Sequence, residues 1–327
     1  MVSKEGQLHY YWRVPKDAQR LTEAIFQMHY PGAEIFAVPD YTEELPANLP
    51  NKEYDVYGED YVFFKDDVYP LKTMKFFEIK PEEIDKEKKL DPVHQLLEAM
   101  AKLKEGEQFW LQFVLVPFEQ EQPFAERAKK TANKIAQRVI PEVKEKTMAG
   151  EAFRAFVYNK VPFEEVKEEV RELGVPLEMK LTPGEREVLA AVEEKASKPL
   201  YKTNIRGVYV YKRDARYGPH GRIARAYFVH FTTNNLNGIR CYSKTRTKIH
   251  YLFRKRRLFN RKRQIYNRYI KRFPPNFPKL DGPGTLVLNI EEVATIIHFP
   301  INASDLPSSV PRIWAKKSTP PPNLPIE

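Results

Sequence analysis

Asp91–Val116 reads DPVHQLLEAMAKLKEGEQFWLQFVLV. Aspartate followed by proline is a helix start: the carboxylate accepts from free N–H groups, and proline takes the first helical position without losing a bond. Val93, Leu96, Leu97 and Met100 then fall on one helical face. Gly106 follows where a left-handed stop is favoured. From Gln108 the period changes. Phe109, Leu111, Phe113 and Leu115 share one side of a strand, and Trp110, Val114 and Val116 share the other. A strand apolar on both sides belongs in the middle of a sheet.

Working outward, Leu8–Val14 (LHYYWRV) predicts a strand. Asp17 is expected to cap a helix with apolar positions Leu21, Ile25 and Met28, stopped by Pro31 and Gly32. Glu34–Val38 predicts a second strand, then a proline- and acid-rich loop runs through Asp55, and Tyr61–Phe64 predicts another strand. Repeated strand–helix–strand units with helices on one side of the sheet predict an α+β fold with ferredoxin-like layers.

The middle of the chain is helical and charged. Phe124, Ala128, Ala132, Ile135 and Val139 share one face, as do Phe163, Val166, Val170 and Leu173 in a shorter helix. Thr182-Pro183-Gly184-Glu185 is a capping box opening a third helix, with Val188, Leu189 and Val192 as its apolar face. Beyond it, Ile205–Tyr211 predicts a strand, Ile223–Phe231 fits either a helix or a strand, and Asn237-Gly238 marks a turn. Arg254–Phe273 predicts a basic helix ended by Pro274 and Pro275. Thr285–Leu288 predicts a strand, and Asn289 caps a helix with Glu292 at its third position. The expected divisions are an N-terminal α/β domain at 1–120, a charged helical segment at 121–198, a basic α/β domain at 199–300 and an extended proline-rich tail at 301–327.

With one cysteine, Cys241, the chain can form no internal disulfide, which points to a reducing compartment. Met1–Arg13 has no apolar core of a secretory signal, and no run approaches the roughly 20 apolar residues of a membrane span. The expected location is cytoplasmic, or peripheral to the inner face of the cell membrane.

Charge is divided unevenly. Between Pro199 and Arg272 there are 21 Lys and Arg against one acid, Asp214, whereas the remainder holds 33 bases and 43 acids. An acidic body therefore carries a basic block. Within the block, Arg254, Lys255, Arg256, Arg257, Arg261, Lys262, Arg263 and Arg268 can neutralise phosphates, and Tyr266 and Tyr269 can stack on unpaired bases. Charges this dense repel one another, so a counter-charge is expected. Nucleic acid, an anionic membrane surface, a partner protein and the chain's own acidic segments all remain open as its source.

Catalytic signals are missing from the sequence. There is no G-x-x-x-x-G-K-[ST] or G-x-G-x-x-G loop, and Asp281-Gly282-Pro283-Gly284 reads as a turn. None of the seven histidines stands at ligand spacing from another histidine or from the cysteine. His298 reads as a packed, hydrogen-bonded histidine, and Cys241 as an incidental thiol. No enzyme, catalytic residue, metal, cofactor or small-molecule substrate is expected. The one enzymatic alternative is a metal-dependent nuclease using Asp66, Asp67 or Asp281.

Leu288–Pro300 (LNIEEVATIIHFP) and Pro320–Pro325 (PPPNLP) resemble a bacterial domain family found ahead of HerA/FtsK-like ATPases of the type IV secretion coupling-protein kind. Tyr69–Thr73, Glu105–Gln112 and the stretch from Thr182 to Arg206 are similar to the same family. The resemblance implies a non-catalytic accessory module of a membrane-associated DNA translocation system, partnered by such an ATPase in a separate chain or split gene. It transfers no catalytic residue, because the matching motifs are a helix cap, an apolar face and a proline tail. The chain ends where the motor domain would begin, implying a motorless variant or one piece of a split system. A protein-interaction module with no nucleic-acid role is the structural alternative.

Overall fold

The computed structural model describes residues 1–31, 33–76, 91–118, 121–136, 181–250, 252–278, 282 and 284–299. Two compact units result. The larger joins Met1–Asp67, Leu71–Phe118 and the chain from Leu200 onward; the smaller holds Val68–Pro70 and Glu119–Pro199.

The larger unit is mixed α+β around one antiparallel sheet. Its strands are β1 (Val2–Lys4), β2 (Gln7–His9), β3 (Tyr54–Phe63), β4 (Glu107–Pro117), β5 (Leu200–Lys212), β6 (Ile239–Cys241) and β7 (Leu286–Asn289). They lie in the order β2-β1-β4-β5-β3-β6, with β7 also on β5. Strands from the first 120 residues and from beyond 199 thus share one sheet. The two α/β domains expected at 1–120 and 199–300 are one unit, because β5 completes hydrogen bonding for both β3 and β4. β3 and β4 both run antiparallel to β5 and so parallel to each other with β5 between them. With α2 (Pro92–Ala101) connecting them, they form a split strand–helix–strand unit.

Helices cover both faces of the sheet, not one. α2 and α5 (Ile223–Val229) bury Val93, Leu96, Leu97, Met100, Ala224, Tyr227 and Phe228 against Phe109, Leu111, Ile205 and Tyr209. The basic helix α6 (Arg254–Lys271) covers the opposite face, where Tyr266 and Tyr269 meet Val56, Trp110, Val208 and Val210. Strand alternation sorts the two sets: odd positions of β4 and β5 face α2, and even positions face α6. α7 (Ile290–Ile296) follows β7 with the expected capping box between Asn289 and Glu292.

Asp91 caps α2 through Val93 N at 2.8 Å, with Pro92 in the first turn as read. Gly106 has φ +79° but lies in the turn into β4; α2 already ends at Ala101. The N-terminal expectations fare less well. Of the 8–14 stretch only Leu8 and His9 are strand, at the end of β2, and Glu34–Val38 is not strand. α1 (Gln19–His29) starts after a short 3-10 turn and has no side-chain cap from Asp17. Its apolar positions Leu21 and Met28 are 64% and 70% exposed, so its periodicity is real but this face is uncovered among the described residues.

In the smaller unit, α3 (Glu121–Ile135) and α4 (Pro183–Ala196) pack together, burying Phe124, Ala128, Ala132 and Val192. The capping box Thr182–Glu185 opens α4. Val139, the helix expected around Phe163–Leu173 and the tail at 301–327 lie outside the described residues.

α6 comes close to the sheet at Gly58, where a Cβ would stand 2.9 Å from Ile265 Cδ1. Gly58→Val should destabilise the fold by about 1–3 kcal/mol in urea unfolding, as overpacking does. Adding Ile265→Ala should recover part of the loss; strict additivity of the two would show that the helix does not seat there.

Candidate anion-binding cleft

At one end of the sheet, β3 and β5 present Tyr57, Tyr209 and Tyr211 on the same side. These rings line a cleft of about 460 Å³. Three further pieces complete its walls. A 3-10 turn, Gly218–Arg222, brings Arg222, with Arg216 just before it. The loop after β6 brings Arg246, Thr247 and Lys248. That loop is tied to β3 by Tyr242 N to Asp60 O at 2.7 Å, Thr247 N to Gly58 O at 3.1 Å and Gly58 N to Thr247 Oγ1 at 2.9 Å. α6 adds Arg254, Leu258 and Lys262, spaced four apart and hence on one stripe. Six bases and no carboxylate line the cleft among the described residues.

Carboxylates lie just beneath. Tyr57 donates to Glu59, Tyr209 to Glu107, and Tyr211 to Asp55 at 3.2 Å. Glu59 also pairs with Arg225 and, at 3.1 Å, with Arg246. Glu107 also takes the His220 ring at 2.9 Å. Burial raises the carboxyl pKa of Glu107, but the bonds from Tyr209, Lys104 N and His220 outweigh it and hold it below the usual range. Burial and the Asp55 charge push Tyr211 up to about 12. The three hydroxyls are thus engaged below; the Tyr57 ring is half-buried, and Tyr209 and Tyr211 are closed into the floor.

The bases divide into two sets. Arg246 and Lys262 are half-buried and paired, Lys262 with both Asp55 oxygens at 2.7 Å. Burial draws the Lys262 ammonium below its ordinary value, partly offset by Asp55. For Asp55, burial works upward but the Lys262 bonds and charge prevail, holding it low. Arg216, Arg222, Lys248 and Arg254 are exposed and have no carboxylate partner among the described residues. Their charge is uncompensated at the mouth of the cleft.

The start of α6 sharpens this. Arg254–Arg257 occupy its first turn, which holds no acid, and Phe253 at the cap supplies no side-chain bond. Four cations at the positive end of a helix dipole repel both it and one another, so an anion there is favoured twice over. On the other flank, Arg261, Gln264 and Arg268 line a smaller cleft of about 340 Å³ with Lys244.

The predicted contact residues separate accordingly. Arg254 and Lys262 line the larger cleft, and Arg261 and Arg268 the smaller. Lys255, Arg256, Arg257 and Arg263 are exposed along α6. Tyr266 and Tyr269 are turned into the core and cannot stack on bases. Tyr266 donates to Pro46 O at 3.2 Å, and Tyr269 shares a 2.7 Å hydrogen bond with Tyr41. Exposed rings on or next to α6 include Phe253 and Phe259, and Phe277 lines the smaller cleft. Arg216, Arg222, Arg246, Lys248 and the three cleft tyrosines were not singled out from sequence; the alternations Tyr209-Val210-Tyr211 and Arg246-Thr247-Lys248 were the available signal. Among the described residues, no three of His, Cys, Asp and Glu gather as metal ligands. Asp281 lies outside the described residues.

Asp55 tests the floor of the cleft. Its folded pKa lies below the unfolded value of about 4, so its stabilisation is complete above that pH and is lost as pH falls through the folded value. Asp55→Asn should cost about 1–3 kcal/mol at pH 7, and the gap from wild type should narrow as pH falls below the unfolded value of about 4. Urea unfolding across that range checks it; a gap independent of pH would refute the ionic role.

No curated protein and no solved structure matches the chain. The model of one family, described as Domain of unknown function (DUF8128), matches residues 1–308, a span that takes in the whole cleft and both flanks of α6. The chain belongs to the DUF8128 family.

Proposed function

We propose that this chain is a non-catalytic module that contacts nucleic acid through the exposed side of α6 and the basic clefts along its flanks. The observation that carries the reading is exposed charge: the four cations at the mouth of the larger cleft, which have no carboxylate partner among the described residues, are followed around the first turn of α6 by the exposed Lys255 and Arg256. Phosphates of a strand can meet cations spread around this turn, and binding releases their condensed counterions. Phe253 and Phe259 offer exposed rings next to it for unpaired bases. The resemblance of Leu288–Pro300 to a family found ahead of HerA/FtsK-like ATPases supplies the setting, a translocation system in which this module holds DNA beside a motor.

Single-stranded DNA should bind with an affinity that falls steeply with salt. Reversing Lys255, Arg256 and Arg263 to glutamate removes three cations that face solvent. The slope of log K against log salt should drop by about 2, at roughly 0.7 per lost phosphate contact. Thermal unfolding should be unchanged. Binding that ignores salt, or no binding at low salt, refutes the proposal.

A further inference from the structure

We propose that the larger cleft takes a terminal phosphate monoester of nucleotide size, either the phosphorylated end of a strand or a free nucleotide. The strand form rests on the nucleic-acid reading above; the free-nucleotide form does not. Volume argues for the size: about 460 Å³ lies within the range of small-ligand sites and fits one nucleotide, not a duplex. Charge argues for the monoester. A phosphodiester carries one negative charge, whereas a monoester carries about 1.5 to 2 at neutral pH, with three acceptor oxygens. Arg216, Arg222, Lys248 and Arg254 converge on the cleft with no carboxylate partner among the described residues, more cation than a single diester needs. Arginine suits this task, because its planar fork meets two phosphate oxygens at once.

The lining argues for the nucleoside. Tyr209 and Tyr211 stack at 4.7 Å between centroids, and Tyr57 lines the same cleft. Tyr209 and Tyr211 are 2% and 3% exposed and close the floor, so the apolar surface next to the cations comes from the half-buried Tyr57 and Leu258 and the exposed Pro219. A base or sugar can rest there while the phosphate meets the rim. Arg254 belongs to both the cleft and the first turn of α6, so a strand whose end is seated in the cleft would bring its next phosphate close to the exposed cations of that turn.

The test compares one single-stranded oligonucleotide with a 5′-phosphate, with a 3′-phosphate, and with hydroxyls at both ends, alongside a free nucleoside monophosphate measured by calorimetry. A phosphorylated end should bind about tenfold tighter than the hydroxyl form, the worth of one charge-assisted bond or more. Arg222→Glu with Lys248→Glu should erase that preference, whereas Arg263→Glu should weaken all three strands alike. Both sets change exposed side chains, and thermal unfolding verifies that each variant folds. Binding of the free nucleotide without end preference, lost in Arg222→Glu with Lys248→Glu, assigns the site to a free nucleotide. Nucleotide binding with no strand binding keeps the cleft assignment and refutes the nucleic-acid reading. Strands that bind regardless of their ends, with no nucleotide binding, overturn the cleft assignment and leave that reading standing.

Discussion

The larger unit depends on β5 being paired along both edges and packed on both faces. Its first edge is occupied by β4 from Tyr201 to Tyr211. Its second is divided, β7 taking Leu200–Thr203 and β3 taking Arg206–Lys212. Ile205 and Tyr209 pack under α2 and α5, while Val208 and Val210 pack under α6. Gly207 sits where a Cβ would be 3.5 Å from both Ala224 and Phe109, so α5 lies close to the strand. A strand so enclosed fixes what lies beyond it. The cleft floor is its last turn, and the tyrosines there stand on the side that strand alternation assigns them.

The same strand brings the two halves of the charge distribution together. Nearly all acids of the basic block's surroundings come from the N-terminal third. Asp60 meets Arg206 with both side chains buried, Glu59 meets Arg225 and Arg246, Asp55 meets Lys262, and Asp40 meets Arg272 at 2.5 Å. The chain's own acidic segments therefore do supply counter-charge, mostly to bases that are at least partly buried, with the exposed Arg213 also 3.7 Å from Asp55. Breaking such a pair leaves a buried charge without compensation, which costs more than the intact pair gains. Those pairs therefore serve mainly to hold α6 and the loop after β6 in place. Arg216, Arg222, Lys248 and Arg254, which have no such partner among the described residues, line one cleft, and this asymmetry gives the cleft its net positive field.

How much of this was legible in the sequence depends on whether the signal was local. The caps of α2, α4 and α7 were readable because a cap and its N–H partner lie within three residues. The helix at Arg254–Lys271 was readable from its period and the prolines after it. Periodicity shows which face is apolar, not what covers it. That is why the apolar positions Leu21 and Met28 on α1 stand exposed, and why Tyr266 and Tyr269, expected to stack on bases, meet Trp110 in the core. The cleft was not legible because its walls come from Tyr57, Tyr209, Arg222 and Lys248, and only the sheet register brings these together.

The C-terminal motif shows why a sequence signature and a binding surface need not coincide. Within it, the Glu292 carboxylate accepts from Asn289 N at 2.8 Å and from Leu71 N at 2.7 Å. Thr295 Oγ1 accepts from Met74 N at 3.2 Å, and His298 Nε2 lies 2.9 Å from the Asp91 carboxylate that caps α2. Burial raises Asp91, but its bonds with His298 and Val93 N prevail and keep it low, which suits a carboxylate serving two partners. The motif thus fastens the segment at Leu71–Met74 and the start of α2 to the end of the sheet where β7 meets β5. The cleft sits at the other end of β5, near Tyr209 and Tyr211. The motif serves the scaffold, and the case for anion binding rests on the cations at the far end of the same strand.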